Sequence, residues 1–153
     1  MKYDIAVIRG GPGGYIAAIY AAKHKAKVVL IEKDKLGGTC LNYGCIPTKA
    51  LIHSAQVYRE SIEASRFGVI HKEVRVNWAR AQEHRRSIVS KLNRGVKTLL
   101  RKNNVTVTKG TAKLADENTV KVIRKEKKKS FGQSTLLLHR VLLLPYCPLR
   151  EKT

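Results

Sequence analysis

The strongest constraint on this chain is a strand–turn–helix–strand pattern near its start. Residues 3–8 form an apolar run that predicts a buried strand, and residues 28–32 predict a second strand that ends in an acid. A glycine-rich turn and an alanine-rich helical segment at 15–24 lie between them. A unit of about 30 residues in this order has the size of a βαβ crossover. The chain is therefore expected to be an α/β protein with a parallel sheet.

The glycine-rich turn spans residues 9–14 and reads RGGPGG. A dinucleotide fingerprint uses one glycine for a tight turn, one for close approach to a pyrophosphate, and one for helix–strand packing. Gly11 and Gly14 hold the second and third positions, with Gly10 beside them. Glu32 ends the second strand 21 residues after Gly11, where a carboxylate can accept hydrogen bonds from an adenosine ribose. The alternative for Glu32 is an ordinary acid at the end of a strand.

Arg9 occupies the first fingerprint position, which is usually a glycine. If that position requires a left-handed backbone, the strain is about 1–2 kcal/mol. The long side chain would also crowd a bound cofactor, unless its guanidinium reaches a phosphate instead. We expect Arg9 to impair binding of the cofactor.

Cys40 and Cys45 lie five residues apart, with Gly44 directly before the second. On an ideal helix, five residues rotate a side chain by about 140° and rise about 7.5 Å. A disulfide needs Cα atoms roughly 4.4–6.8 Å apart. The two cysteines can therefore bond only in a loop or a distorted helix, and two unrelated thiols remain the alternative. No second Cys/His pair stands at ligand spacing, so a metal site is not expected.

The remaining pattern predicts two further helices and a small β-meander. Residues 47–59 favour one helix, and Asn77 is a plausible N-cap for a long amphipathic helix that ends near Lys102. The short strands are expected at 105–108, 111–114 and 119–123, with a turn through 116–118.

The chain has 153 residues, is 43% apolar and carries a net charge of +20. Residues 1–120 contribute +13 of this charge and residues 121–153 contribute +7. Such a charge indicates a self-repelling surface, or nonspecific attraction to nucleic acid or anionic membrane. Without a nucleic-acid-binding motif, an apolar span of about 18 residues, or a secretory or transit segment, we expect no specific nucleic-acid partner, no membrane and a cytoplasmic location.

Residues 37–49 read GGTCLNYGCIPTK, which resembles the active-disulfide signature of the class I pyridine nucleotide–disulfide oxidoreductases. Leu41, Ile46 and Thr48 resemble the dihydrolipoamide dehydrogenases within that family. The resemblance extends to about residue 125. It implies an incomplete doubly wound, Rossmann-like FAD-binding domain with a long helix and a small β-meander.

The resemblance implies that this chain descends from a flavoenzyme that oxidises dihydrolipoamide with NAD through a Cys40–Cys45 redox disulfide. Cys40 would exchange with dihydrolipoamide, and Cys45 would face the flavin and pass electrons to it as a thiolate. A lowered thiol pKa helps such exchange. Lys49 would lie near the reactive edge of the flavin. The residues implied to line the FAD are Gly10, Gly11, Gly14, Glu32, Gly38 and Thr39, with the backbone around Ala112.

The family also implies a homodimer and lipoyl domains of 2-oxo acid dehydrogenase complexes as partners. Besides Arg9, Lys25 departs from the family because it replaces a glycine expected in the left-handed conformation after the first helix. Residues 1–129 are assigned to the amino-terminal part of the FAD domain and 130–153 to an aberrant basic, leucine-rich tail. We expect the NAD-binding and dimerisation domains to be absent, and translation past a frameshift is one hypothesis for the tail.

We expect no turnover from this chain alone. Two alternatives are a noncatalytic remnant that binds flavin weakly or not at all, and a small flavin-free redox module that uses the dithiol.

Overall fold

The computed structural model describes residues 2–124, and the backbone of residues 133–143. The chain forms two compact units. Among the described residues, the first unit contains those up to Gly38 and those from Val96 onward, and the second unit is Thr39–Gly95.

The first unit contains a six-stranded sheet with the order β3-β2-β1-β6-β5-β4. In this order, the neighbours among β3, β2, β1 and β6 pair in parallel. Strand β5 pairs antiparallel with both β6 and β4. The α/β class with a parallel sheet is thereby confirmed. The strands are β1 Lys2–Ile8, β2 Val28–Glu32, β3 Thr106–Lys109, β4 Thr111–Asp116, β5 Thr119–Ile123 and β6 Gln133–Leu143.

Strand β2 has the burial that is typical of a strand in a parallel sheet. All five of its residues are buried, as expected for a strand covered on both faces. Helix α1, Pro12–Lys23, provides the crossover from β1 to β2. The β4–β5 meander shares the same core, whose buried members are Tyr3, Ala6, Val29, Ile31, Val120 and Val122.

Helix α1 ends in a Schellman motif with a lysine in the position that favours glycine. The N–H of Ala26 donates to the carbonyl of Ala21, and the N–H of Lys25 donates to that of Ala22. Lys25 has φ = 66°, which confirms the left-handed conformation expected there. The chain therefore carries a conformational cost that a glycine would avoid.

The second unit is helical. It contains α2, which begins one residue earlier and spans Gly38–Asn42, then α3, Cys45–Glu63, and a short 3-10 helix, Ala64–Phe67. Helix α4, Trp78–Lys102, begins in this unit and ends in the first. The N–H of Arg80 donates to Asn77 Oδ1 at 3.0 Å, which confirms Asn77 as the N-cap of α4.

Part of the segment expected to be an aberrant tail forms β6, whose backbone pairs with β1 on one side and β5 on the other. Residues 144–153, which include Cys147, lie outside the described residues. The assignment of 130–153 as a separate tail stays a prediction. No helix in the described part of the chain is long and apolar enough to cross a membrane.

Candidate functional site

The turn at residues 9–14, here called the phosphate turn, joins β1 to α1 and is held at Gly10 from both sides. The Gly10 N–H donates to Glu32 Oε2 at 2.7 Å, and its carbonyl accepts the N–H of Gly37 at 2.7 Å. A Cβ at Gly10 would lie 2.7 Å from a methyl carbon of Leu36. The turn can close against Glu32 and Leu36 only because this residue lacks a side chain.

The amino terminus of α1 is arranged to accept an anion. Gly11 is the N-cap and makes no side-chain capping bond, Pro12 holds the first helical position, and the first turn contains no acid. A Cβ placed at Gly11 would have no neighbour within 4 Å. The first N–H groups of a helix have no intrahelical partners and carry partial positive charge. The residues present therefore fit a pyrophosphate at this point.

Gly38 approaches the phosphate turn closely. Its φ is 58°, and a Cβ there would lie 2.9 Å from the Cα of Gly11. Both the backbone conformation and the space therefore require a glycine.

Arg9 stands at φ = 82°, which confirms that the first fingerprint position is left-handed. Its N–H donates to the carbonyl of Ile31 at 2.8 Å, so the strained conformation is fixed by the pairing of β1 with β2. The cost for a non-glycine residue is about 1–2 kcal/mol.

Glu32 is a buried carboxylate with defined partners. Oε2 accepts the Gly10 N–H, and Oε1 accepts the N–H of Asp34 at 2.9 Å. A carboxylate offers about four acceptor positions, so acceptor capacity is left for the hydroxyls of a ribose. Its position between the phosphate turn and the next loop is compatible with that role, which stays a prediction.

A cavity of about 450 Å³ lies beside the ends of β2 and β3. Ligands of open α/β sheets bind outside the carboxyl ends of the strands, and this cavity has that position. Gly110 and Thr111 line it, while the next residue, Ala112, packs against the hydrophobic core instead. Three cationic residues that sequence reasoning missed also line it, and each follows or ends a strand: Lys33, Lys109 and Arg124.

The cysteine segment, residues 39–49, begins the second unit. Helix α2 ends at Asn42, and α3 begins at Cys45 after a break in which Gly44 has φ = −121° and ψ = −107°. The carbonyl of Thr39 accepts the N–H groups of both Tyr43 and Gly44 at 2.8 Å. The cysteines therefore lie in a distorted helix, which confirms the requirement derived from their spacing.

Both cysteines are free thiols in this structure, Cys40 half-buried and Cys45 exposed. The pKa of Cys40 is raised, chiefly by a hydrogen bond between its thiol and Cys45, then by burial and the negative charge of Cys45. The positive charge of Lys49, one turn along α3, opposes this pKa shift only in part. Cys40 is thus a protonated thiol at neutral pH, and its proton must leave before it can attack a disulfide.

Asn42, within the cysteine segment, is tied to a distant part of the second unit. Asn93 on α4 donates from Nδ2 to Asn42 Oδ1 at 2.9 Å. No spacing in the sequence indicates this pair, because 51 residues separate its members.

The family model for pyridine nucleotide-disulphide oxidoreductases matches residues 3–139. The chain belongs to this family of flavoprotein disulfide oxidoreductases. Within it, the chain is similar to dihydrolipoyl dehydrogenases: 43% identical over 132 residues to that of Staphylococcus aureus, and 47% over 121 residues to that of Chlorobaculum parvum. Those matches cover 86% and 79% of this chain.

The chain is also similar to a flavoprotein disulfide reductase of known structure. The Cu(II) complex of the HOCl-induced flavoprotein disulfide reductase RclA from Escherichia coli has a TM-score of 0.75 and 27% identity, and the match covers 94% of this chain and 28% of RclA. The chain likewise spans 28% and 26% of the lengths of the two dihydrolipoyl dehydrogenases.

Proposed function

We propose that this chain is the dithiol-bearing, FAD-binding part of an oxidoreductase that oxidises dihydrolipoamide. One observation carries the proposal: two thiols in hydrogen-bond contact lie in a distorted helix that directly follows the phosphate turn's glycine partner, Gly38. A conformation that holds two thiols within hydrogen-bonding range suits reversible disulfide formation.

The chemistry of the protein residues is thiol–disulfide exchange. Starting from the Cys40–Cys45 disulfide, a thiolate of dihydrolipoamide attacks the Cys40 sulfur and releases Cys45 as a thiolate. The second thiol of the substrate then attacks the substrate sulfur of the mixed disulfide and releases Cys40. Lipoamide leaves as its disulfide, and the two electrons remain on the protein as the Cys40 and Cys45 thiols. The protons released by the substrate are taken up by this pair, of which Cys40 holds its proton firmly.

Bound FAD would supply the acceptor for these two electrons. The phosphate turn would hold its pyrophosphate through the first N–H groups of α1, and Glu32 would accept its ribose hydroxyls. The cavity beside β2 and β3, which Lys33, Lys109 and Arg124 help to line, would take the adenosine. Thr39 and Lys49 would contact the flavin portion, as the family implies.

The complete protein would pass electrons to NAD, act as a homodimer and accept lipoyl domains of 2-oxo acid dehydrogenase complexes. These proposals concern regions that the present chain does not span. A dithiol that cycles in this way fits the reducing conditions of a cytoplasm.

A flavin titration followed by reduction tests the proposal. The chain is mixed with FAD, unbound FAD is removed, and dihydrolipoamide is added without oxygen. We expect retained flavin whose visible absorbance falls on addition of the substrate, and no fall in a Cys45→Ser variant. Retained flavin that the substrate does not reduce would contradict the proposed reaction.

The long side chain of Arg9, which would crowd a bound cofactor, favours a second candidate, a dithiol module that works without flavin. In that case the chain retains no FAD, yet its thiols cycle with glutathione. A protein that does neither is the noncatalytic remnant.

A further inference from the structure

Asn42 is a buried polar residue within the cysteine segment. It lies between Cys40 and Cys45 in the sequence, and only 7% of its surface is exposed. A buried amide is costly unless it is hydrogen-bonded, so the position of Asn42 depends on its partners. Asn42 is the last residue of α2, so its backbone begins the turn that separates the cysteines.

Asn93 is one such partner, and in the sequence it lies near the other end of the second unit. Asn42 is the fourth residue of this unit, and Asn93 lies two residues before its last. The 2.9 Å bond between the two amides therefore joins the segment where the chain enters the unit to the helix by which it leaves. The two backbone bonds to the Thr39 carbonyl, by contrast, are local to the cysteine segment.

We propose that Asn93 is a positioning residue that, through Asn42, holds Cys40 and Cys45 at the separation from which a disulfide forms. The inference rests on the proposed redox role of the dithiol, but it is independent of FAD. A disulfide tolerates only a narrow range of sulfur geometry, and a chain that already holds two groups in that range reacts at a high effective concentration. Fixing Asn42 therefore favours the disulfide over the dithiol.

Equilibration with glutathione measures this preference directly. Oxidised glutathione and the Cys40–Cys45 dithiol yield the protein disulfide and two molecules of reduced glutathione, so two electrons and both thiol protons pass to glutathione. The full chain is used, with Cys147→Ser in every sample so that two thiols remain. Alkylation of the remaining thiols followed by mass measurement gives the ratio of disulfide to dithiol.

Asn93→Leu keeps the branched shape of the side chain but removes its donor. We expect the equilibrium to shift about tenfold towards the dithiol, because a less constrained pair of thiols reacts at a lower effective concentration. Asn103→Leu is the matched control, because Asn103 follows the same helix and its Nδ2 donates to the carbonyl of Leu99 at 2.8 Å. That variant also loses an amide donor, but outside the second unit, and it should leave the equilibrium unchanged.

Asn93→Asp is the conservative replacement. The Asn42 amide can rotate so that its nitrogen donates to the new carboxylate, and the equilibrium should return to near the wild-type value. If Asn93→Leu does not fold, Asn93→Thr keeps a donor on a shorter side chain and should give an intermediate shift. The proposal is overturned if a folded Asn93→Leu or Asn93→Thr protein matches the wild type, or if Asn103→Leu shifts the equilibrium as far. Failure to bind FAD would overturn the proposed flavin chemistry while leaving this result intact.

Discussion

The phosphate turn and the cysteine segment are the two motifs of this chain, and they differ in how well the backbone accommodates them. In the cysteine segment, every unusual backbone position is a glycine, and the buried amide of Asn42 is hydrogen-bonded. In the first unit, Arg9 and Lys25 both occupy left-handed positions that favour glycine. The cysteine segment is therefore built without evident strain, whereas the first unit carries an arginine and a lysine in left-handed positions. We expect disulfide formation and cofactor binding to be separable properties of this chain.

Removal of one thiol is the strongest test of whether disulfide formation and FAD binding are independent. Cys45→Ser should abolish the intramolecular disulfide completely, because Cys40 then has no partner, and it should leave FAD affinity unchanged. Thiol alkylation and flavin fluorescence in a Cys147→Ser background measure the two properties side by side. A parallel loss of FAD affinity would show that the two regions are not independent.

The converse variant, Glu32→Gln, keeps the shape but removes the charge of the carboxylate. It should weaken FAD binding about tenfold, as expected for a hydrogen bond to a charged group, and leave the glutathione equilibrium of the dithiol unchanged.

Gly38→Ala tests the closest backbone approach in the phosphate turn. The new Cβ would lie 2.9 Å from Gly11 Cα at φ = 58°, so we expect a loss of about 2–4 kcal/mol in the free energy of unfolding. Urea denaturation measures this loss. Gly95→Ala is the control, because that position is helical with open space around it, and it should gain about 0.5–1 kcal/mol. Equal effects of the two variants would contradict the packing described for Gly38.

Arg9→Gly and Lys25→Gly test the strain itself. Each should raise the free energy of unfolding by about 1 kcal/mol, because relief of the left-handed conformation exceeds the entropy that a glycine adds to the unfolded chain. Urea denaturation of the single and double variants should give additive gains, since the two sites share no described hydrogen bond. Destabilisation by both replacements would remove the contrast between the two regions.

Lys49→Gln probes the smallest effect, the charge near Cys40. Because Lys49 lowers the pKa of Cys40 against the larger effects of Cys45 and burial, its removal should raise that pKa further. Iodoacetamide reacts with the thiolate form of a cysteine. At a pH near the ordinary pKa of a thiol, alkylation of Cys40 should therefore be slower than in the unfolded chain, and slower still in Lys49→Gln.

The sign of the associated pH dependence follows from the raised pKa. The folded chain holds the Cys40 proton more tightly than the unfolded chain does. The resulting stabilisation is fully present below the unfolded pKa and is lost as the pH rises through the folded pKa. A Cys40→Ser protein should show a weaker loss of stability over that alkaline range.

The sequence predicted the elements of this fold better than their arrangement. Periodicity located β2 at its observed bounds and α4 to its last residue, because local spacing determines both. The left-handed conformations of Arg9 and Lys25 were also predictable, since each stands where the family has a glycine. The pairing of β6 with β1 was not, because it joins residues more than a hundred positions apart.

The candidate site shows the same division. The glycines, Glu32 and the cysteine pair are identified by motif, because the chemistry requires those residue types at that spacing. Asn93 and the cations Lys33, Lys109 and Arg124 carry no such signal, since the roles proposed for them depend on contacts that only folding creates.

The dissociation constant of FAD for the wild-type chain and for Arg9→Gly, obtained by quenching of flavin fluorescence, tests the assignment of the phosphate turn most directly. We expect measurable binding to the wild type and binding about tenfold tighter to Arg9→Gly, which corresponds to about 1.4 kcal/mol of relieved crowding between the side chain and the cofactor. Absence of binding to both proteins, while both remain folded, would contradict the assignment of the phosphate turn as an FAD site.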